Sequence, residues 1–385
     1  MSNLPALLNL LNEKLVDIGL SDLPYLEDDC PSPSSLTTDK VFVVTGGNSG
    51  LGLETAKSFS LQSSSTSFVV LGCRNHEKCL AAKEEIDNAR RDACFTNNKE
   101  EFISNVYVPT ASLDLNKPST LQNWVDSLTS LPNQNSPITY ISHLVLNAGI
   151  MSTPLYPLNA ETGMENQIQV NHFSQYSLTS LLLPYMKKSA VVNDDKYKTR
   201  IVVVASVAAQ FPLSWNIDDV NFQNGRYHSS MIAYGQSKRA NLLFVEYLKK
   251  TTHEKYGIEA IACHPGYSRT NLFHAEGSWS FLPSNMNWLK DIASSPMPIS
   301  MSSAEGARMS IRSALDSSVK NGDYVTPMYY IVGEPVISIR KNSIMETAVS
   351  WVPGLVGRRL GDYTWKDVQG LIFASERVSG GLKID

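Results

Sequence analysis

The stretch Thr45-Gly46-Gly47-Asn48-Ser49-Gly50-Leu51-Gly52 decides the fold, because it joins an apolar run, Val41–Thr45, directly to a helix-like pattern. Glycine lets a backbone turn sharply and approach a phosphate closely. A helix that begins there presents free N–H groups and the positive end of its dipole to an anion. A glycine turn between a buried strand and a helix therefore indicates a dinucleotide pyrophosphate site, the alternative being a simple tight turn.

Apolar runs and helix-like stretches alternate along the chain from Lys40 onward. Continuous Val, Ile and Leu runs indicate strands that are buried on both faces. Repeated β-α alternation predicts an α/β fold: a single Rossmann-type doubly wound parallel sheet of about seven strands, with helices on both faces. The predicted strands are Val41–Thr45, Phe68–Leu71, Ser104–Val108, Ile141–Leu146, Ile201–Ala205, Ile258–Cys263 and Tyr324–Met328. The predicted helices are Leu51–Leu61, Glu77–Arg91, Ser119–Ser130, Met164–Met186, Ala233–Lys250 and Thr364–Ser379.

The domain organisation follows from composition. Residues 1–39 are predicted to be a helical extension and a Pro/Ser-rich linker, and residues 40–340 the Rossmann-fold catalytic domain. Within it, residues 271–303 lack a clear period and are rich in Ser, Pro, Met and Trp, which is typical of a mobile flap over the substrate. Residues 341–385 are predicted to be a C-terminal extension that packs on the domain.

Charge and hydropathy argue against several classes of partner. The chain has 33 basic and 37 acidic residues, a net charge of −4, so we expect no nucleic acid partner. No run of eighteen apolar residues occurs, so no transmembrane helix is predicted. The leucine-rich N-terminus lacks the basic region of a secretory signal. We expect it to pack on the protein itself or on another subunit, with peripheral membrane contact as the alternative.

The five cysteines give no sign of a metal site or a disulfide framework. Their number is odd and no CxxC pair occurs. We therefore expect no metal ion, no disulfide framework, and residence in the cytoplasm or another reducing compartment, with organelle targeting left open.

Arg74 marks the cofactor preference. An acidic residue just after the second strand would bind the adenosine ribose hydroxyls of NAD. The chain instead has Arg74 there and no acidic residue until Glu77. A guanidinium can pair with a 2′-phosphate through two hydrogen bonds, so NADP(H) is favoured over NAD(H). The alternative is a surface arginine without a ligand.

Tyr234 and Lys238 stand four positions apart at the start of a predicted helix and so share one face. A free tyrosine has a pKa of about 10, too high for efficient proton transfer at neutral pH. A neighbouring ammonium and an oxidised nicotinamide would lower this pKa. Tyr-xxx-Lys alone is common by chance, so its meaning depends on the residues around it.

Two further polar residues are candidates for the same site. Ser206 ends a buried strand, and the carboxyl end of a parallel strand is where such sheets bind ligands. Its hydroxyl could donate to a developing oxyanion, or merely cap a turn. Asn171 lies within a predicted helix, a poor place for asparagine by propensity, which a buried hydrogen-bonding role would explain as well as simple exposure.

These motifs together resemble the short-chain dehydrogenase/reductase superfamily, and within it the retinol dehydrogenase and WW-domain oxidoreductase branch. The branch is supported by LGCRN at Leu71–Asn75, VNHFSQYSLTSLLLP at Val170–Pro184 and AYGQSKRANLLF at Ala233–Phe244. The superfamily matches are TGGNSGLG at Thr45–Gly52, Asp114-Leu115, NAG at Asn147–Gly149, Asn171, Ser206, YGQSK at Tyr234–Lys238 and HPGYSRT at His264–Thr270.

The resemblance implies a role for each matching position. Tyr234 is the general acid/base, and Lys238 lowers its pKa while holding the nicotinamide ribose. Ser206 orients the substrate carbonyl, and Asn171 anchors a water in a proton relay. The implied cofactor-binding residues are Gly46, Asn48, Ser49, Gly50, Leu51, Arg74, Asp114, Leu115, Asn147, Ala148, Gly149, Tyr234, Lys238, Pro265, Gly266 and Thr270.

The chain departs from the branch at Ser268, where valine is common, and in a polar insertion at Asp92–Glu101. It also lacks the hydrophobic N-terminal anchor of many retinol dehydrogenases, which puts a retinoid substrate in doubt. The leading hypothesis is an NADP(H)-dependent oxidoreductase acting on a lipophilic aldehyde, ketone or alcohol. The alternative is an NADP(H)-binding regulatory protein without turnover. The resemblance also implies that two helices could pair across a homo-oligomer.

Overall fold

The computed structural model describes residues 40–62, 67–94, 102, 104–128, 138–151, 157–192, 197–210, 216–224, 230–266, 268, 301–327, 335–337 and 364–384. The predicted N-terminal helix and all but the end of the predicted flap lie outside these residues, as does most of the Asp92–Glu101 insertion.

An eight-stranded sheet forms the centre of this described part, in the order β3-β2-β1-β4-β5-β6-β7-β8. All neighbouring strands run parallel except β7 and β8. The predicted doubly wound α/β fold is therefore confirmed. The strands are β1 (Val41–Thr45), β2 (Phe68–Gly72), β3 (Val106–Tyr107), β4 (His143–Leu146), β5 (Arg200–Val204), β6 (Glu259–Cys263), β7 (Tyr324–Pro327) and β8 (Pro335–Ile337).

Helices cover both faces of the sheet. They are α1 (Gly50–Gln62), α2 (His76–Cys94), α3 (Leu121–Ser127), α4 (Asn166–Ile168), α5 (Ser174–Val192), α6 (Ser230–Tyr256), α7 (Ser303–Leu315) and α8 (Trp365–Val378). Short 3-10 turns lie at Pro118–Thr120, Val207–Gln210 and Ile217–Asp219. A separate apolar cluster fills each side of the sheet, and the central strands β1, β4, β5 and β6 are buried along their whole length.

Two elements were missing from the sequence prediction. The estimate of about seven strands omits β8, a three-residue antiparallel strand. Such a strand is too short to give a periodic signal. Helix α7 was also missed, although Ser302 and Glu305 form a capping box at its start. That box is readable in sequence as Ser-x-x-Glu.

The predicted single helix Met164–Met186 is interrupted by a π-helical turn at Gln169–Phe173. This turn joins α4 to α5 and contains Asn171. Single π turns inside helices occur often at functional sites, because they redirect side chains.

A disulfide joins Cys73 and Cys79. No disulfide framework was expected from the sequence, and this single bond was not predicted. Cys73 follows β2, and Cys79 lies near the start of α2, where the helix folds back over the strand end. A bridge between neighbouring elements of this kind is not detectable from an odd cysteine count or from the lack of CxxC. Cys263 is a free, buried cysteine.

Helix α8 packs against the other described elements. Val368 and Leu371 are buried, and the segment that follows the helix accepts hydrogen bonds from Tyr176 and Tyr247 at the carbonyls of Leu382 and Ile384. Within the described residues, no helix is both long enough and apolar enough to cross a bilayer.

Candidate active site

A cleft of about 680 Å³ opens at the carboxyl edge of the sheet. Strands β1, β4, β5 and β6 are consecutive neighbours, so the residues that follow them meet along one line. Parallel α/β sheets bind ligands at this edge, at the point where the strand order reverses. Here β1 has β2 on one side and β4 on the other, which places the reversal at the glycine turn.

The glycine turn after β1 has a backbone shape that requires glycine at several positions. Gly46 and Gly50 have φ values of +69° and +54°, in the left-handed region. A Cβ atom on Gly52 would lie 2.3 Å from the carbonyl oxygen of Gly46, so the start of α1 can pack there only without a side chain. Asn147 locks the turn from β4 by donating from Nδ2 to the Thr45 carbonyl over 2.9 Å.

Tyr234, Ser206 and Lys238 converge at the far end of the cleft. The first turns of α6 bring Tyr234 and Lys238 to the end of β5, and a hydrogen bond joins the side chains of Tyr234 and Ser206. The Lys238 Nζ donates to the Val204 carbonyl over 3.0 Å and lies 5.8 Å from the centre of the Tyr234 ring. All three residues line the cleft.

Burial opposes charge on both titratable members of this cluster. It raises the pKa of Tyr234 to about 12, although the hydrogen bond with Ser206 acts in the opposite direction. It lowers the pKa of Lys238 to about 8, with the nearby Cys263 thiol acting the other way. Burial therefore keeps Tyr234 protonated at neutral pH, and only positive charge close to the phenol can lower its pKa enough for it to serve as a base.

Asn171 lies behind the cleft wall and does not line the cleft. Its Oδ1 accepts from the Ile150 N–H over 2.7 Å, and its Nδ2 donates to the Ile150 carbonyl and to Ser237 Oγ, each over 2.9 Å. A Cβ on Gly149 would lie 3.0 Å from Asn171 Oδ1 and 3.3 Å from Lys238 Nζ. Asn171 thus ties the turn after β4 to the helix that carries Tyr234.

The opposite end of the cleft is basic. Arg74 is exposed at the start of the turn after β2, and Lys78 is exposed in the first turn of α2. Both line the cleft with Asn75. Asp114 and Leu115 face them from the segment after β3. A backbone hydrogen bond of 2.8 Å from Leu113 N to the Cys73 carbonyl holds the two segments together.

Nearly all residues singled out in the sequence come together here. Asn171 stands behind the wall, and Thr270 lies outside the described residues. The predicted residues that line the cleft are Gly46, Asn48, Ser49, Gly50, Leu51, Arg74, Asp114, Leu115, Asn147, Ala148, Gly149, Ser206, Tyr234, Lys238, Pro265 and Gly266.

Several residues of the site were not predicted. Thr45 Oγ1 accepts from the backbone N–H groups of Asn147 and Ala148 over 3.0 and 2.9 Å, which joins β1 to β4. Because Thr45 ends β1 directly before Gly46, its place in the sequence could have suggested that its side chain supports the turn. Lys78 lies four residues after Arg74, at the start of the predicted second helix, and this nearby second cation could have been noted in the sequence. Met151 and Asn166 also line the cleft but carry no periodic or motif signal. Val170 and Ser268 line it too, and both lie within stretches that match the family.

Comparison with known proteins identifies the family. A family model described as short chain dehydrogenase matches residues 40–218. An uncharacterized oxidoreductase of Schizosaccharomyces pombe is 32% identical over 272 residues, which cover 70% of each chain. The chain is a short-chain dehydrogenase/reductase.

Within the superfamily, the chain is similar to retinol dehydrogenases. Retinol dehydrogenase 13 of Homo sapiens is 30% identical over 243 residues, 63% of each protein. The matches to this and other first curated relatives span 62–66% of those proteins' own lengths. A crystal structure of an uncharacterized protein from Mycobacterium paratuberculosis superposes with a TM-score of 0.61 at 25% identity, over 92% of this chain and 100% of that one.

The cleft fits the nicotinamide dinucleotide that the family binds. The side-chain-free turn leaves room for a pyrophosphate against the start of α1. Tyr234 and Lys238 lie at one end of the cleft, and exposed cations lie at the other. A dinucleotide has the matching layout, with its reactive ring and its adenosine separated by the phosphates.

Proposed function

We propose that the chain is an NADP(H)-dependent oxidoreductase that transfers a hydride between the nicotinamide and the carbonyl or alcohol carbon of a lipophilic aldehyde, ketone or alcohol. The observation that carries this proposal is the convergence of Tyr234, Ser206 and Lys238 at the end of the cleft opposite Arg74. A protein that only bound the cofactor would not need a buried acid hydrogen-bonded to a serine at that position.

In carbonyl reduction, Tyr234 donates the proton and Ser206 donates a hydrogen bond to the carbonyl oxygen as negative charge develops there. In alcohol oxidation the same tyrosine, as phenolate, removes the hydroxyl proton. Lys238 stabilises that phenolate electrostatically. The nicotinamide, when bound, supplies or accepts the hydride. Asn171 acts as a positioning residue through Ser237, which lies next to Lys238 on α6.

Arg74 and Lys78 support the preference for NADP(H). Both are exposed and line the cleft at the adenosine end. A 2′-phosphate between them would accept charge-assisted hydrogen bonds, which are shorter and stronger than neutral ones. A bare ribose hydroxyl gains no such charge pairing.

The surroundings of Tyr234 support a lipophilic substrate. Met151, Ala208 and Met231 form a buried apolar cluster with Tyr234. Met151 also lines the cleft, as does Val170. An apolar wall around a few convergent polar groups is the usual composition of a small-molecule site.

A spectrophotometric screen tests this function. NADPH and NADH are each offered with short- and long-chain aliphatic aldehydes, aromatic aldehydes and ketones, and nicotinamide absorbance is followed. We expect turnover that is faster with NADPH and with the more apolar carbonyls. Tight NADPH binding with no turnover of any carbonyl, and none of any alcohol with NADP+, would support the regulatory alternative instead.

The two reaction directions should differ in pH dependence. Reduction uses protonated Tyr234, which burial keeps protonated throughout the neutral range. Oxidation uses the phenolate, so below the pKa of Tyr234 in the complex its rate should rise about ten-fold per pH unit. We expect the pH optimum for oxidation to lie above that for reduction. Rate profiles for one alcohol–carbonyl pair measure this, and coincident optima would contradict the role of Tyr234.

A further inference from the structure

The disulfide between Cys73 and Cys79 encloses one segment of the candidate site. Cys73 comes directly after β2, and Cys79 lies in the first turns of α2. The segment between them, Arg74–Lys78, is the one that carries both exposed cations of the cleft. Both half-cystines are buried, with exposed fractions of 4% and 1%, beneath this segment.

Hydrogen bonds hold the enclosed segment in a single turn. Asn75 Oδ1 accepts from the backbone N–H of Lys78 over 2.8 Å, and the Asn75 carbonyl accepts from the Cys79 N–H over 3.1 Å. The Cys73 carbonyl is tied to Leu113, beside Asp114, over 2.8 Å. The disulfide adds a covalent link across the base of the turn, and so fixes the start of α2 relative to the end of β2.

We propose that Cys73 and Cys79 form a thiol-redox site that sets the affinity of the cleft for the 2′-phosphate of NADP(H), with a dithiol as the reductant. The inference rests on the proposed preference for NADP(H). When the disulfide is formed, it holds the backbone that carries Arg74 and Lys78 in the conformation that binds the 2′-phosphate. When reduced, the turn gains freedom that binding must remove, which weakens affinity.

The exchange is balanced in electrons and protons. A thiolate of the dithiol attacks one sulfur of the Cys73–Cys79 bond and displaces the other as a thiolate. The second thiol of the donor then closes a disulfide within the donor and releases the first protein sulfur. Two electrons and two protons pass to the protein, which ends with two thiols. Because both sulfurs are buried, exchange requires the first turn of α2 to open, and it should be slow.

Reduction of the disulfide should weaken only the binding of the 2′-phosphate, and so should affect NADPH but not NADH. The pyrophosphate and nicotinamide ends of the cleft rest on the glycine turn, Asn147 and Lys238, none of which lies in the enclosed segment. Reduction should therefore weaken NADPH binding by about three- to ten-fold and change NADH binding by less than about two-fold.

The test compares dissociation constants of NADPH and NADH, by cofactor fluorescence, for the full chain after oxidised glutathione and after dithiothreitol. Alkylation of free thiols followed by peptide mass spectrometry confirms each state. The Cys73→Ser and Cys79→Ser variants supply permanently open forms that do not depend on access by the reductant. Cys94→Ser, at the end of the same helix, is the matched control and should behave as the wild type.

The outcomes separate this inference from the proposed function. Selective loss of NADPH affinity on reduction and in both serine variants, with NADH binding retained, supports it. NADPH preference that is equal in both redox states overturns the redox site while leaving the proposed cofactor intact. Free thiols at both positions after oxidation, or an equal loss of both cofactors, also overturn it. No preference for NADPH in the oxidised protein instead refutes the proposed cofactor.

Discussion

Replacing Tyr234 with phenylalanine should lower kcat about 1,000-fold and leave the dissociation constant of NADPH within about two-fold of wild type. The phenol is a buried group that can give or take a proton at the end of the cleft, beside Ser206. Phenylalanine keeps the ring and its contacts with Met151 and Met231. Steady-state rates and NADPH fluorescence titrations on the same preparation measure both quantities.

The matched control is Tyr247→Phe. Tyr247 lies on the same helix, α6, but its hydroxyl donates to the Ile384 carbonyl, away from the cleft. This variant loses one hydroxyl as well and should keep wild-type kcat. A Tyr234→Phe protein that turns over normally, or a control that loses as much activity, would remove Tyr234 from its role.

Replacing Arg74 with aspartate should weaken NADPH binding about 100-fold and leave NADH binding unchanged or improved. The change removes a cation that could form charge-assisted hydrogen bonds to a 2′-phosphate and puts a like charge in its place. A carboxylate after the second strand can also accept from the ribose hydroxyls of NADH. The ratio of kcat/KM for the two cofactors with one carbonyl substrate reports the change in preference.

Arg91→Asp controls for the general effect of charge. Arg91 lies on α2, like Lys78, but outside the cleft, where it donates to Asn88 over 2.6 Å. The same change in net charge there should alter the cofactor ratio by less than about two-fold, because solvent screens exposed charges. An unchanged ratio in Arg74→Asp would mean that Arg74 does not contact the cofactor.

Most of the fold could be predicted because its central strands are buried on both faces. β1 begins and ends where its apolar run does. β5 begins one residue before the apolar run, because Arg200 enters the strand paired with buried Glu259 over 2.9 Å. β3 is shorter than predicted. Before it, Asn105 uses its side chain to bond Ser60 across to α1, a long-range contact that local pattern does not reveal.

The site was predictable to the extent that its chemistry is local in sequence. The glycine turn and the Tyr234–Lys238 pair are short motifs whose geometry follows from a turn or a helix face. The hydrogen bonds that position these motifs were not predictable, because they join segments that are distant in sequence. Asn171 reaches Ser237, and Thr45 reaches Asn147, only after the sheet has formed. The disulfide likewise depends on how α2 folds back over β2.

The most direct test of hydride transfer uses NADPH that carries deuterium at both C4 positions of the nicotinamide, with the best carbonyl from the screen. Mass spectrometry locates the label in the product. We predict one deuterium on the former carbonyl carbon of the alcohol formed by the wild type, and none detectable with Tyr234→Phe over the same time. Bound NADPH that never delivers deuterium to any carbonyl would contradict the proposed activity.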